Sequence, residues 1–97
     1  MNIKTHSQII QFLSEQNHDW NIDNDGQLEI VLAFENYLQT FGQASQIALI
    51  SEQMDHHPTL IIDYNKLAIK IKTHSENGIT EKDFEFVKKV NQTLSTN

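Results

Sequence analysis

Histidines and carboxylates cluster in the second half of this 97-residue chain. Glu52 precedes an adjacent pair, His56 and His57, while His74 and Asp83 follow further along. Histidine has an unperturbed pKa of ~6.5, so it gives and takes protons near neutral pH. Three imidazoles brought together in one pocket would make either an acid–base site or a metal site.

A predicted strand pair would bring the two ends of this cluster together. Pro58 ends any helix that precedes it, and two strand-like runs follow at residues 59–64 and 66–72. Asn65 suits the tight turn between them. In an antiparallel pair, the start of one strand meets the end of the next. The histidines near 57 and 74 are therefore predicted to lie close in space.

The first half of the chain predicts a helix followed by a hairpin. Residues 5–8 fit a helix-opening capping box, and this helix should end by residues 17–19. A short strand is predicted at 20–24. Asp25-Gly26 fits a two-residue type I′ turn, which needs positive φ at both positions. Alternating apolar residues predict the next strand at 27–34.

Two further helices complete the predicted fold. The longer one, residues 35–53, has an apolar side that fits either its own core or a core plus a partner. That side comprises Leu38, Phe41, Ala44, Ile47 and Ala48, extended by Ile50 and Met54. A Thr80–Asp83 capping box is predicted to open the last helix. The order α-β-β-α-β-β-α, in one domain over residues 1–97, indicates an α+β fold: a four-stranded antiparallel sheet with helices on one face.

Composition narrows the function classes. The 7 basic and 13 acidic residues give a net charge of −6, which argues against binding a nucleic-acid backbone. The chain has no cysteine, so disulfides and thiolate metal sites are excluded. No apolar run approaches the ~20 residues of a membrane helix, and the first residues lack the apolar run of a signal peptide. A soluble, cytoplasmic protein is predicted.

The histidine cluster resembles the pterin-4a-carbinolamine dehydratase family. The family motif combines an acidic residue, three intervening residues, His-His-Pro, an aromatic residue, a later histidine and an aspartate. The matching residues here are Glu52, His56, His57, Pro58, Tyr64, His74 and Asp83. The likeness covers roughly residues 20–95. It implies a hydro-lyase that dehydrates 4a-hydroxytetrahydropterin to the quinonoid dihydropterin, in recycling the cofactor of aromatic amino-acid hydroxylases.

The resemblance also implies roles for individual residues. His56, His57 and His74 would be catalytic by acid–base chemistry, with no metal and no organic cofactor, since the pterin is the substrate. The residues predicted to bind the pterin are Asp55, Pro58, Thr73 and Ser75, and the supporting carboxylates are Glu52 and Asp83. Glu52, four residues before His56, is predicted to orient that ring. A role in capping the last helix would explain Asp83 as well as a role in supporting the site would.

Other interpretations stay open at this point. Zn²⁺ accepts three imidazoles and a water, so the three histidines also fit a metal site. Animal members of the family stabilise a transcription factor dimer, so a non-catalytic interaction module is the alternative function. The complete histidine set favours the enzyme. The resemblance further implies a homodimer or homotetramer, which Ile47→Glu or Ile50→Glu should dissociate. The acidic charge and the lack of a membrane-length apolar run predict no nucleic-acid or membrane partner.

Overall fold

The computed structural model describes residues 2–95 as three helices and one sheet. The helices are α1 (His6–Ser14), α2 (Tyr37–Met54) and α3 (Glu81–Ser95). The strands are β1 (Asn21–Ile22), β2 (Leu28–Ala33), β3 (Thr59–Asp63) and β4 (Lys66–Ile71). They follow the predicted order, and the sheet is antiparallel with strands arranged β1-β2-β4-β3. The predicted α+β architecture is confirmed.

The sheet buries one of its two faces. Ile30 of β2 and Ile69 of β4 lie opposite each other and are buried, whereas the neighbouring Val31 is exposed. Side chains alternate between the faces of a strand, so the buried residues all lie on one face. Val87 and Val90 of α3 are fully buried in the same core. The helices therefore cover a single face of the sheet, as predicted.

Side-chain caps set the starts of the first two helices. Gln8 N donates to Thr5 Oγ1 at 3.1 Å and Thr5 N donates to Gln8 Oε1 at 2.8 Å, which is the predicted capping box. Asn36 caps α2 by accepting from Gln39 N at 2.8 Å. Because Asn36 takes the cap position, α2 begins at Tyr37, two residues later than predicted.

The β1–β2 connection differs from the predicted two-residue turn. Gly26 has φ 76°, but Asp25 does not have the positive φ that a type I′ turn requires. Asp23 N donates to Gln27 O, so three residues lie between the paired ends. Asp23 Oδ1 accepts from the N–H groups of Asp25 and Gln27 and holds this longer loop. A three-residue loop with one left-handed glycine results.

The β3–β4 hairpin turns at Asn65, as predicted, together with Tyr64. Asp63 pairs with Lys66, so Tyr64 and Asn65 form the two-residue loop. Tyr64, predicted as the last residue of the strand, belongs to the turn and has a positive φ of 50°. The Asn65 carbonyl accepts from Phe34 N at 2.8 Å, which ties the turn to the end of β2.

Helix α2 presents a different face to the core from the predicted one. Ala44 and Ile47 are buried as predicted, but Leu38 and Phe41 are 82% and 54% exposed. Ile47 and Ile50 pack inside the chain's own core, so Ile47→Glu or Ile50→Glu would destabilise the fold itself and would not be a clean test of assembly. The inward side also contains three polar residues, Thr40, Gln43 and Ser51. The hydroxyls of Thr40 and Ser51 donate hydrogen bonds to backbone carbonyls four residues earlier, and these bonds lower the free-energy cost of burying the hydroxyls.

Candidate active site

The end of α2 directs His56 into the protein. Asp55 ends the helix with a left-handed backbone, φ 51°, and His56 N donates to Ser51 O at 3.0 Å. The His56 side chain is therefore buried, with 8% of the residue exposed. Its ring packs edge-to-face against Phe86 at a centroid distance of 6.4 Å. One histidine of the adjacent pair thus belongs to the core.

Asp83 holds His56 and joins three segments of the chain. This carboxylate lies in the first turn of α3 and is fully buried. Its Oδ1 lies 2.7 Å from His56 Nε2, and its Oδ2 accepts from Thr73 Oγ1 at 2.7 Å and from Thr80 N at 2.8 Å. A buried carboxylate needs such partners, because desolvation is otherwise costly. Asp83 is thus both a cap of α3 and the partner of a histidine.

His57 faces the opposite way from His56. Its side chain is 54% exposed, and its Nε2 is hydrogen-bonded to Glu52 Oε2 in the last turn of α2. The prediction that Glu52 orients His56 is therefore wrong. The left-handed turn at Asp55 rotates the chain, so that His57 and not His56 faces the preceding helical turn. Because both groups are largely exposed, this pair contributes little to stability.

The third histidine lies next to a residue that shares Asp83 with His56. His74 opens a short 3₁₀ turn, His74–Glu76, and is exposed. Thr73 N donates to Gly78 O at 2.9 Å and closes this turn at its base. The Thr73 hydroxyl reaches Asp83, so one carboxylate separates His56 from the residue before His74. The structure thus brings the two distant parts of the motif together.

The residues predicted to bind the pterin surround the histidines but differ in exposure. Asp55 and Ser75 are exposed, and Pro58 is half-buried. The Asp55 carbonyl accepts from Lys82 Nζ at 3.4 Å. Thr73 is buried, and its hydroxyl is already engaged within the protein.

Thr80 is a residue of this network that the sequence predicts only as a helix cap. Its Oγ1 accepts from Lys82 N at 3.3 Å, as a cap does, and lies 2.8 Å from Thr73 Oγ1. The Thr80-x-x-Asp83 spacing indicates the cap. No local signal indicates the contact with Thr73, because it joins the two sides of a loop.

Two groups beside the β1–β2 loop, Asp23 and Lys70, have shifted pKa values. Lys70 Nζ lies 3.4 Å from Glu29 and 3.5 Å from Asp23. The hydrogen bond to Glu29 and the charges of both carboxylates raise the pKa of Lys70, although desolvation opposes them. Burial acts to raise the pKa of Asp23, but hydrogen bonds from the Gln27 and Asp25 N–H groups and the Lys70 charge outweigh it, so that pKa is lowered.

Two further observations concern the residues that the structure describes. Within residues 2–95, no group of three or more His, Cys, Asp or Glu side chains is arranged to hold a metal ion. His56 and His57 instead pair with different carboxylates on opposite sides of the backbone. Among the described helices, none combines the length and the apolar character needed to span a membrane.

Comparison with known sequences points to one family. The family model described as Pterin 4 alpha carbinolamine dehydratase matches residues 3–93. A relative from Sulfolobus acidocaldarius is 40% identical over 73 residues, which are 75% of this chain and 79% of the relative. One from Prochlorococcus marinus is 36% identical over 90 residues, 93% of each chain. Both are named, provisionally, as pterin-4-alpha-carbinolamine dehydratases.

Solved structures agree with this result. A transcriptional coactivator/pterin dehydratase from Brucella melitensis superposes with a TM-score of 0.84 at 33% identity, covering 94% of this chain and 97% of the other. A pterin dehydratase-like RuBisCO assembly factor of the alpha-carboxysome superposes with a TM-score of 0.65 at 22% identity, covering 78% and 89%. At that identity the second match shows the fold alone.

Proposed function

Because the chain belongs to the pterin-4a-carbinolamine dehydratase family, we propose that it removes water from a 4a-hydroxytetrahydropterin. The observation that carries the proposal is the pairing of His56 with the buried Asp83, beside the segment that contains His74. The product is the quinonoid dihydropterin, which a reductase returns to the tetrahydropterin cofactor of aromatic amino-acid hydroxylases.

The reaction consists of two proton transfers. The C4a–O bond breaks as the hydroxyl gains a proton and leaves as water. The N5–H bond gives up its proton as the C4a=N5 double bond forms, so the catalyst gains one proton for the one it donates. One imidazolium and one imidazole serve both steps, each contributing ~10²–10⁴-fold to the rate. This scheme requires neither a metal nor an organic cofactor.

We assign the acid role to His56. Its ring is held by Asp83 and by the edge contact with Phe86, and a fixed ring orientation favours directed proton transfer. The exposed His57 and His74 hold the pterin and take the N5 proton in this proposal. The pterin contacts proposed beside them are Asp55, Pro58, Thr73 and Ser75.

Single histidine replacements test this assignment. His56→Ala and His74→Ala should each lower kcat/KM on synthetic 4a-hydroxytetrahydropterin by at least ~10²-fold, while circular dichroism stays native. His6→Ala is the matched control, because His6 is an exposed histidine at the start of α1. Its turnover should equal that of the wild type. Wild-type turnover in both site variants would contradict the proposed site.

A specific surface favours a second role as an interaction module. Leu38, Phe41 and Leu49 of α2 are exposed apolar side chains, and soluble proteins tend to cover such patches. We propose that this face mediates self-association into a homodimer or homotetramer, and not binding to nucleic acid or membrane. A wild-type protein that assembles but shows no turnover would favour the non-catalytic role over the enzyme.

A further inference from the structure

Behind the His56–Asp83 pair lie two buried hydroxyls, those of Thr73 and Thr80, which take no part in the proposed proton transfers. Thr73 and Thr80 are buried, and their Oγ1 atoms lie 2.8 Å apart. Thr73 Oγ1 also donates to Asp83 Oδ2 at 2.7 Å. A third donor, Lys82 N, lies 3.3 Å from Thr80 Oγ1. Together these groups form a continuous hydrogen-bonded chain that ends on Asp83.

The number of hydroxyl protons fixes the donor-to-acceptor direction along this chain of hydrogen bonds. A hydroxyl has one proton to donate, and that of Thr73 goes to Asp83. The proton between the two hydroxyls must therefore come from Thr80, which in turn accepts from Lys82 N. Asp83 Oδ2 receives both the Thr73 hydroxyl and the Thr80 N–H. Its other oxygen, Oδ1, faces His56.

The same count determines which ring nitrogen of His56 carries the proton. An ionised carboxylate only accepts hydrogen bonds, so His56 Nε2 donates to Asp83 Oδ1. Under the proposed function, Nδ1 is then the ring nitrogen left to exchange a proton with the pterin. We infer that Thr80 is a positioning residue. Acting through Thr73, its hydroxyl holds Asp83 in the orientation that keeps His56 protonated at Nε2.

Helix capping alone does not account for the Thr80 hydroxyl. Thr5 also caps a helix, α1, through its hydroxyl, but that hydroxyl is exposed and accepts from Gln8 N at the surface. The Thr80 hydroxyl is fully buried and continues to Thr73. The two caps thus differ in their link to a histidine, which makes Thr5 a matched control.

The test replaces the Thr80 hydroxyl by a methyl group. Thr80→Val keeps the side-chain shape and the backbone N–H, but it has no proton for Thr73. The kinetic part of this inference rests on the proposed function: kcat should fall about tenfold, with KM changed by less than about twofold. Independently, ring ¹⁵N spectra should show His56 as one Nε2-protonated form in the wild type. In the variant, Asp83 is less firmly held and can turn Oδ1 away from the ring, so a second, Nδ1-protonated form should appear beside the first. Thr80→Ser should restore both properties.

Three controls make the outcome decisive. His56 signals are assigned by their loss in His56→Gln, and Thr5→Val should lower the thermal midpoint without altering those signals. Thr73→Val interrupts the same chain and gives the same readout if Thr80→Val does not fold. A single unchanged tautomer in the folded valine variants, or Nδ1 protonation in the wild type, would overturn the inference. An Nε2-protonated wild type without turnover would overturn only the proposed function.

Discussion

Asp83→Asn would keep the shape of a fully buried side chain while replacing one of its two acceptor oxygens by an NH₂ donor. Two donors, the Thr73 hydroxyl and the Thr80 N–H, face Oδ2, so the amide oxygen takes that position. The NH₂ group then faces His56 Nε2 and donates to it, which places the ring proton on Nδ1. In an imidazolium, the Nε2–H group would face this amide NH₂, and two donors would oppose each other. The variant therefore disfavours the acid form of His56.

The size of the effect follows from the hydrogen bonds that change. Hydrogen bonds to charged groups contribute about 1.5–3 kcal/mol, against about 0.5–1.5 kcal/mol for neutral ones. Asp83→Asn keeps three partners but loses the charge, so the free energy of unfolding should fall by about 1–2 kcal/mol. Asp83→Ala leaves three buried donors unpaired and should cost at least about 3 kcal/mol. In the asparagine variant kcat/KM should fall ~10²–10⁴-fold, the contribution of one acid–base group.

Two measurements separate structure from catalysis here. Urea unfolding followed by circular dichroism gives the stability change, and turnover of synthetic 4a-hydroxytetrahydropterin gives the kinetic one. The reasoning is refuted if Asp83→Asn loses stability as expected but keeps kcat/KM within about threefold of the wild type. The carboxylate would then only stabilise the fold. Unchanged stability in Asp83→Ala would contradict the buried hydrogen bonds themselves.

Three other predictions concern metal, assembly and acid stability. Dialysis against a strong chelator should leave turnover unchanged, whereas a loss that zinc restores would support a three-histidine metal site. Light scattering at micromolar concentration should give a mass that is a multiple of the 11.2 kDa chain. Leu38→Glu should reduce that mass to the monomer value, whereas Ile10→Glu, at an exposed site on α1, should leave it unchanged. A monomeric wild type would contradict the assembly proposal. Because the pKa of Asp23 is lowered on folding, its stabilisation is present above the ordinary aspartate pKa of ~3.9 and is lost as pH falls through the lower folded value. Asp23→Asn should therefore lose less stability on acidification than the wild type in urea titrations, and equal losses would show that the Asp23 charge is not stabilising.

Most of the secondary structure was predictable because its signals are local. The capping box of Thr5 and Gln8 lies within four consecutive residues. The alternation of Leu67, Ile69 and Ile71 identifies a half-buried strand without reference to the rest of the chain. The loop at Asp25 was not predictable in detail, because the Asp23 side chain, and not the Asp-Gly pair alone, decides its length.

The inward face of α2 could not be derived from periodicity. Both sides of the helix mix apolar and polar residues, so counting apolar positions places Leu38 inside and overlooks Thr40 and Ser51. Those two hydroxyls are satisfied by carbonyls of their own helix, and a hydropathy pattern does not register this. The exposed Leu38 belongs to the face of α2 for which self-association is proposed.

In the candidate site, proximity was predictable but partner choice was not. The β3–β4 hairpin requires its two ends to meet, which brings the His56 and His74 segments together. Which histidine Glu52 contacts depends on one left-handed residue, Asp55, and helical spacing assumes a regular backbone there. Tertiary contacts such as that between Thr73 and Thr80 have no sequence signal of this kind.

The bond between His56 and Asp83 joins residues 27 positions apart, and Asp83 belongs to α3, which follows the other described helices in the sequence. A ribosome releases the chain from its N-terminus at about 5–20 residues per second. Until α3 has emerged, the nascent protein contains both adjacent histidines, but His56 lacks its carboxylate and the sheet lacks the cover provided by Val87 and Val90. Docking of α3 contributes to both. A change that loosens α3 from the core therefore also removes the carboxylate partner of His56.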